Sequence, residues 1–259
     1  MASTLTRCLL LCAALLLSAC SSLVSVPTVK NTPSASVAQA AWSRVLAAYV
    51  NAHGQVDFRA LARAPADLET YVAWLAITDP AGWPDHNARL AHYIHSYNAL
   101  SMFGVISAGL PTTHAGLRKI RFFYWKKFVI GGQKLSLYSY ENDVIRPLGD
   151  PRVHFALNCS AVSCPTLPRT PFTAVTIDQE LEHEAHQFIN DPRHVRVDGP
   201  EHTLYLSAIF KFYSEDFVPR HGPTLTAYVN RYRATPLPLN YRVRFLAYNW
   251  TIAAAPAAH

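Results

Sequence analysis

Two cysteines, Cys159 and Cys164, carry the most chemistry in this 259-residue sequence. The other three of its five cysteines fall within the first 20 residues. His154 stands five residues before Cys159, Asn158 directly before it, and Pro165 directly after Cys164. Val153 and Phe155 to Leu157 form an apolar run that reads as a short buried strand stopping at a thiol-bearing turn, and chemistry often sits where a rigid element ends in a polar loop. Three chemistries fit. In the first, Cys159 is a nucleophile whose proton passes to His154, because only the thiolate attacks and a nearby imidazole favours it. Glu141 orients the imidazole, and Asn158 or the amides near Cys159 hold an oxyanion. That set suits acyl transfer or amide hydrolysis, and it requires a sharp turn at Asn158 to bring Cys159 back towards His154. In the second, Cys159 and Cys164 cycle between dithiol and disulfide, at a Cys-x4-Cys spacing unlike the Cys-x-x-Cys of thioredoxin-like proteins. In the third, they form a structural disulfide that pins a loop in a non-catalytic binding module. Such a bridge needs the loop bent until the Cα atoms approach within about 7 Å.

The elements that must position these residues follow from periodicity. From Val37, apolar residues recur at three and four (Ala38, Trp42, Val45, Leu46, Tyr49) and predict a helix that Gly54 stops. A second helix spans about Ala66 to Ile77. The longest, about Asn87 to Ser107, is apolar on nearly every face and is therefore central, and its Asn98 needs partners if buried. Phe122 to Ile130 and Gln133 to Leu137 flank Gly131-Gly132 as a hairpin. A short helix, Tyr138 to Arg146, carries Glu141 in its first turn, where a carboxylate suits the helix dipole. After the cysteines, Thr176 opens a helix with the form of a capping box. Val195 to Val197 and Thr203 to Leu206 form a second hairpin. Brief helices follow at Ala208 to Tyr213 and Pro223 to Tyr232, then a last strand from Val243 to Tyr248. The fold class is α+β: a helix-rich single domain with small antiparallel β hairpins, spanning 37–252, with a frayed alanine-rich tail at 253–259.

Several functions are disfavoured. His92 and His95 lie three apart on one helix but have no third ligand at metal-site spacing, and His183 and His186, also three apart, fall on the solvated side of an amphipathic helix. No phosphate loop or dinucleotide motif is present. We expect no metal and no cofactor. The net charge of +6 is spread without runs of like sign, so no nucleic-acid partner is expected.

The N-terminus addresses location. Arg7, the apolar run Leu9 to Leu17 and Leu17-Ser18-Ala19-Cys20 have the layout of a secretory signal, too short to span a membrane. This segment resembles the lipobox of bacterial lipoproteins. The resemblance implies removal of residues 1–19, lipid on Cys20, and a tether over residues 20–36. Loss of Arg7 takes the charge to +5. Ser21 resembles the pattern sent to the outer membrane, with the domain facing the periplasm. The expected partners are the membrane, through lipid on Cys20, and an unidentified envelope substrate or protein.

Separated motifs from Trp42 to Trp250 together resemble the domain of unknown function 547 family. They are Trp42, Tyr49-Val50 and Gly54 to Phe58; His95-Ser96-Tyr97-Asn98-Ala99; Ser136-Leu137 with Glu141 and Arg146; Pro151 to Cys159 with Ser163-Cys164-Pro165; and Phe210 to Tyr213, Asp216-Phe217 and Tyr248-Asn249-Trp250. His95 stands where that family more usually has Asn, and Asn249 where it more usually has Asp. The resemblance implies kinship rather than a reaction. Some eukaryotic relatives carry a glutaredoxin-like domain, which points towards thiol chemistry.

Overall fold

A computed structural model describes residues 22–256. The signal segment and Cys20 lie outside the described residues. Helix α1 (Ala35–Tyr49) begins where Ser34 accepts from the Val37 amide, and it buries Ala38, Ala41, Trp42, Val45 and Leu46. Helix α2 (Ala66–Ile77) carries Asp67 and Glu69 in its first turn, where carboxylates suit the positive end of the dipole. Arg44 holds Asp67 through two hydrogen bonds and ties α2 to α1. Helix α3 (His86–Ser107) is capped by Asp85 and is buried from Leu90 to Val105. At 22 residues it is about 33 Å long. It is the central rod, as its all-round apolar pattern predicts.

Two small three-stranded sheets flank these helices. Strands β2 (Lys126–Ile130) and β3 (Gln133–Ser136) form the first predicted hairpin. Gly131 and Gly132 both have positive φ, the requirement of a tight two-residue turn. Their amides donate to the Leu75 and Ala76 carbonyls, satisfying the free end of α2. The second hairpin pairs β4 (Val195–Asp198) with β5 (Thr203–Leu206) after helix α4 (Ile177–Asn190). Each hairpin gains a parallel third strand; only the second falls where a strand was expected, at Val243 to Tyr248, and it starts one residue earlier. β1 (Ser22–Leu23) joins β2, and β6 (Arg242–Phe245) joins β5.

Several expectations are corrected. The run at Val153 to Leu157 is not a strand. Pro151–Phe155 is a 3-10 helix, with Pro151 in its first turn and the Asp150 side chain accepting from the Arg152 amide. That turn sends Val153 into the larger core and Phe155 into a second one built on α4, β4 and β5. The predicted helix over 138–146 begins as one turn at Leu137–Ser139, widens to a π-helix at Tyr140–Ile145, and closes as a 3-10 turn at Arg146–Leu148. π-turns are rare and cluster at functional sites. Phe122–Trp125 belongs to a π-turn too, so β2 starts only at Lys126. The Thr176 side chain accepts from no helix amide; Glu180 instead accepts from the Thr173 amide and the Thr176 hydroxyl. The late helix shrinks to Leu225–Asn230, capped by Thr224. The end of the chain is not frayed over 253–255. The Ala253 amide donates to Ser160, the Ala255 amide to Val56, and Ile252 bridges Ala161.

Burial also sets an acid limit on the fold. His92 is packed among Trp74, Trp83 and Tyr93, and His95 bonds the Phe172 carbonyl. Burial pushes His92 down to about 3, and His95, His114 and His194 each down to about 4. Unfolding returns each to about 6.5. A depressed histidine stabilises the fold fully above pH 6.5 and loses that contribution as pH falls from 6.5 towards 4. Each removes about 1.4 kcal/mol per pH unit across that window. The urea midpoint is therefore expected to fall steeply between pH 7 and pH 5. A flat profile there would show that these imidazoles take up protons as readily in the fold as in the unfolded chain.

Candidate functional site

The site forms at the seam between the two cores, where the 3-10 turn Pro151–Phe155 feeds the loop that carries the thiols. Asn98, on the central rod, fixes that loop. Its amide nitrogen donates to the Ala156 carbonyl at 3.0 Å, and its oxygen accepts from the Asn158 amide at 2.7 Å. These are the partners that its burial demands. The Asn158 side chain closes the loop: its Nδ2 donates to the Pro165 carbonyl and its Oδ1 accepts from the Ser160 amide. Ser160 adopts φ +66°, a left-handed conformation costly for a side chain, of the kind found where function requires strain. The Ser160 hydroxyl pairs with Ser101 of the rod at 2.9 Å. His114, neutral through burial, donates from Nε2 to the Cys159 carbonyl at 3.1 Å. Gly54 lets another turn close on this loop: it has φ +71°, and a Cβ there would lie 2.6 Å from the Leu167 amide nitrogen.

Held this way, Cys159 and Cys164 face each other as free thiols with their Sγ atoms 2.8 Å apart. They are not alike. The Cys159 amide donates to Cys164 Sγ at 3.1 Å, and the Tyr248 hydroxyl lies 3.2 Å from Cys164 Sγ against 3.6 Å from Cys159 Sγ. Burial alone would raise the Cys164 thiol, but hydrogen bonds from Cys159, Tyr248 and the backbone outweigh it and lower it. Cys159 moves the other way, raised by its bond to Cys164 and by burial. Cys164 is thus the more acidic thiol of the pair. Tyr248 stays protonated, because burial and the two thiols raise its phenol.

His154 and Glu141 share a cavity of about 370 Å³ with both thiols. His154 is not bonded to Cys159. Its Nε2 donates to Asp216 Oδ2 at 2.7 Å, and its ring stacks on Tyr213 with centroids 4.0 Å apart. Arg146 grips both oxygens of Asp216, at 2.6 and 2.9 Å. Desolvation opposes ionisation of Asp216, but the bonds from His154 and Arg146 prevail and hold it well below the usual carboxylate range. His154 Nδ1 faces Glu141 Oε1 at 3.8 Å and makes no hydrogen bond. Burial lifts Glu141 above the ordinary carboxylate value, with His154, Tyr213, Tyr97 and Arg146 pulling it part of the way back.

The structure brings Cys159, Cys164, His154 and Glu141 to one cavity, and there the imidazole bonds Asp216 rather than Cys159. Asp216, Arg146, Tyr213 and Tyr248 were marked only as family motif residues, without a role. Nothing in the sequence singled out His114. The two positions that depart from the family pattern serve the frame: His95 bonds Phe172, and exposed Asn249 accepts from the Thr251 amide.

A helix-rich α+β fold that buries a cysteine pair beside a carboxylate–imidazole–carboxylate row defines the class of this protein. Residues 80–189 match the family model described as "Protein of unknown function, DUF547". The match takes in α3, Glu141, His154 and both thiols; Asp216 and Tyr248 lie beyond it. No curated protein and no solved structure matches the chain.

Proposed function

We propose that this protein is a lipid-anchored envelope protein whose Cys159–Cys164 pair performs thiol–disulfide exchange. The observation that carries this reading is the unequal dithiol: two free sulfurs 2.8 Å apart, with a phenol and an amide donating to one of them. Donors that stabilise a thiolate make it reactive near neutral pH. The Cys164 thiolate attacks one sulfur of a disulfide substrate, forming a mixed disulfide and expelling the other sulfur as thiolate. Cys159 then gives its proton to the bound half of the substrate as it leaves, and its sulfur closes on Cys164. The substrate gains two electrons and the pair becomes a disulfide. The lipid anchor rests on the Leu17-Ser18-Ala19-Cys20 pattern.

Alkylation across a pH series, read by mass spectrometry on protein purified without reductant, tests this. Cys164 is expected to label below the ordinary thiol range of about 8.5 and ahead of Cys159. Replacing Tyr248 with Phe removes one donor, so Cys164 labelling at pH 7 is expected to slow about ten-fold, the equivalent of one hydrogen bond to a charged group. A Cys159–Cys164 bond that resists mild reductant would overturn the exchange reading and leave a stapled loop in a binding module. One observation favours a second reading, cysteine-nucleophile acyl transfer: the unpartnered His154 Nδ1 in the same cavity, backed by Asp216. Single turnover of an ester probe, with acyl found on a cysteine, would select it.

A further inference from the structure

We infer that the segment Leu117–Lys127, with the cleft it borders, lies against a surface of anionic phospholipid headgroups. Of these 11 residues, Arg118, Lys119, Arg121, Lys126 and Lys127 are basic and none is acidic. Apolar side chains stand out between the charges: Leu117 is 70 % exposed, Tyr124 42 % and Ile120 39 %. A cleft of about 590 Å³ opens beside them, bordered by Arg118, Arg121, Trp125 and Lys126. Among the described residues, none of these basic side chains is paired with a carboxylate. Lys126 donates to the Gly104 carbonyl, and Lys119 sits over the Trp250 ring at 4.5 Å. Basic residues interleaved with exposed apolar and aromatic ones are the composition of a surface that seats at the headgroup level.

The start of the described chain gives the orientation. Ser22 borders this same cleft and pairs with Lys126. Ser22 is the first described residue, so the chain enters the domain at this cleft. This inference rests on the lipid anchor proposed above, which would hold the face that carries Ser22, Arg118 and Arg121 at the headgroups. It also has a consequence for access. Lys119 and Tyr124 from this segment line the thiol cavity, so its mouth lies next to the membrane.

Hydrogen exchange on the purified mature protein tests the inference, with vesicles of phosphatidylcholine alone or mixed with phosphatidylglycerol. Amides of 117–127 are expected to exchange about ten-fold more slowly with the anionic vesicles, an effect that 0.5 M salt abolishes because screening shortens at high ionic strength. The double variant R118E/R121E is expected to lose this protection while keeping normal Cys159 and Cys164 labelling, which reports an intact fold. Equal exchange in both vesicle types would overturn the inference, and so would equal protection by inorganic phosphate without vesicles. The mass of the N-terminal peptide reports acylation separately. Protection without acylation would remove the anchor and keep the surface; acylation without protection would do the reverse.

Discussion

Replacing Cys164 with serine is expected to lower thiol–disulfide exchange by roughly a thousand-fold or more, the scale of losing a nucleophile. The serine hydroxyl accepts from the same Tyr248 and Cys159 donors but does not ionise near neutral pH. The change should leave the fold close to wild type, since the position stays occupied and hydrogen-bonded. Replacing Cys159 with serine has a different expected outcome. Cys164 still attacks, but nothing resolves the mixed disulfide, and substrate accumulates as a covalent adduct. Intact mass after one equivalent of a disulfide probe separates the two variants. Adduct on Cys159 in the Cys164→Ser protein would reverse the assigned roles and restore Cys159 as nucleophile. No adduct in either variant would mean that the pair does no exchange.

Asn98→Ala is expected to cost about 2–6 kcal/mol of stability, because it orphans two buried backbone groups at about 1–3 kcal/mol each. Those groups are the Ala156 carbonyl and the Asn158 amide, on the loop that carries the thiols. Urea unfolding measures the loss, and faster alkylation of Cys159 and Cys164 by a neutral reagent at low denaturant would show that the loop loosens first. A change below about 0.5 kcal/mol, the range of an ordinary surface substitution, would mean that water or a rearranged loop replaces the bonds.

The sequence showed most plainly what repeats locally. Trp42, Val45 and Leu46 marked α1, the all-round apolar run marked α3, and Gly131-Gly132 marked the hairpin. It misread Val153 to Leu157 because a short apolar run fits a strand and a 3-10 turn equally well. The Asp150-Pro151 pair, a cap followed by a proline in the first turn, was the signal that separates them. The partners of the site were out of reach for a different reason. His154 meets Asp216 across 62 residues, and Cys164 meets Tyr248 across 84. No periodicity encodes such contacts. Which thiol is the acidic one therefore follows from tertiary packing, not from the spacing of the two cysteines. The alanine-rich segment looked frayed because composition is silent about backbone partners, and it is the backbone that binds there.

That last segment gives the site a place in time. The Cys159–Cys164 loop is closed on one side by residues 249–253: the Val162 amide donates to the Thr251 carbonyl, the Ser163 amide to the Asn249 carbonyl, and the Ala253 amide to the Ser160 carbonyl. Tyr248, the phenol on both sulfurs, comes from the same stretch. A chain emerging from the ribosome or a translocation pore has made both cysteines some 85 residues before it makes the strand that covers them. Through that interval the thiols are exposed to whatever oxidant the compartment holds, and only the arrival of residues 248–253 turns a reactive loop into a poised one. Assembly of the site therefore waits on the arrival of residues 248–253.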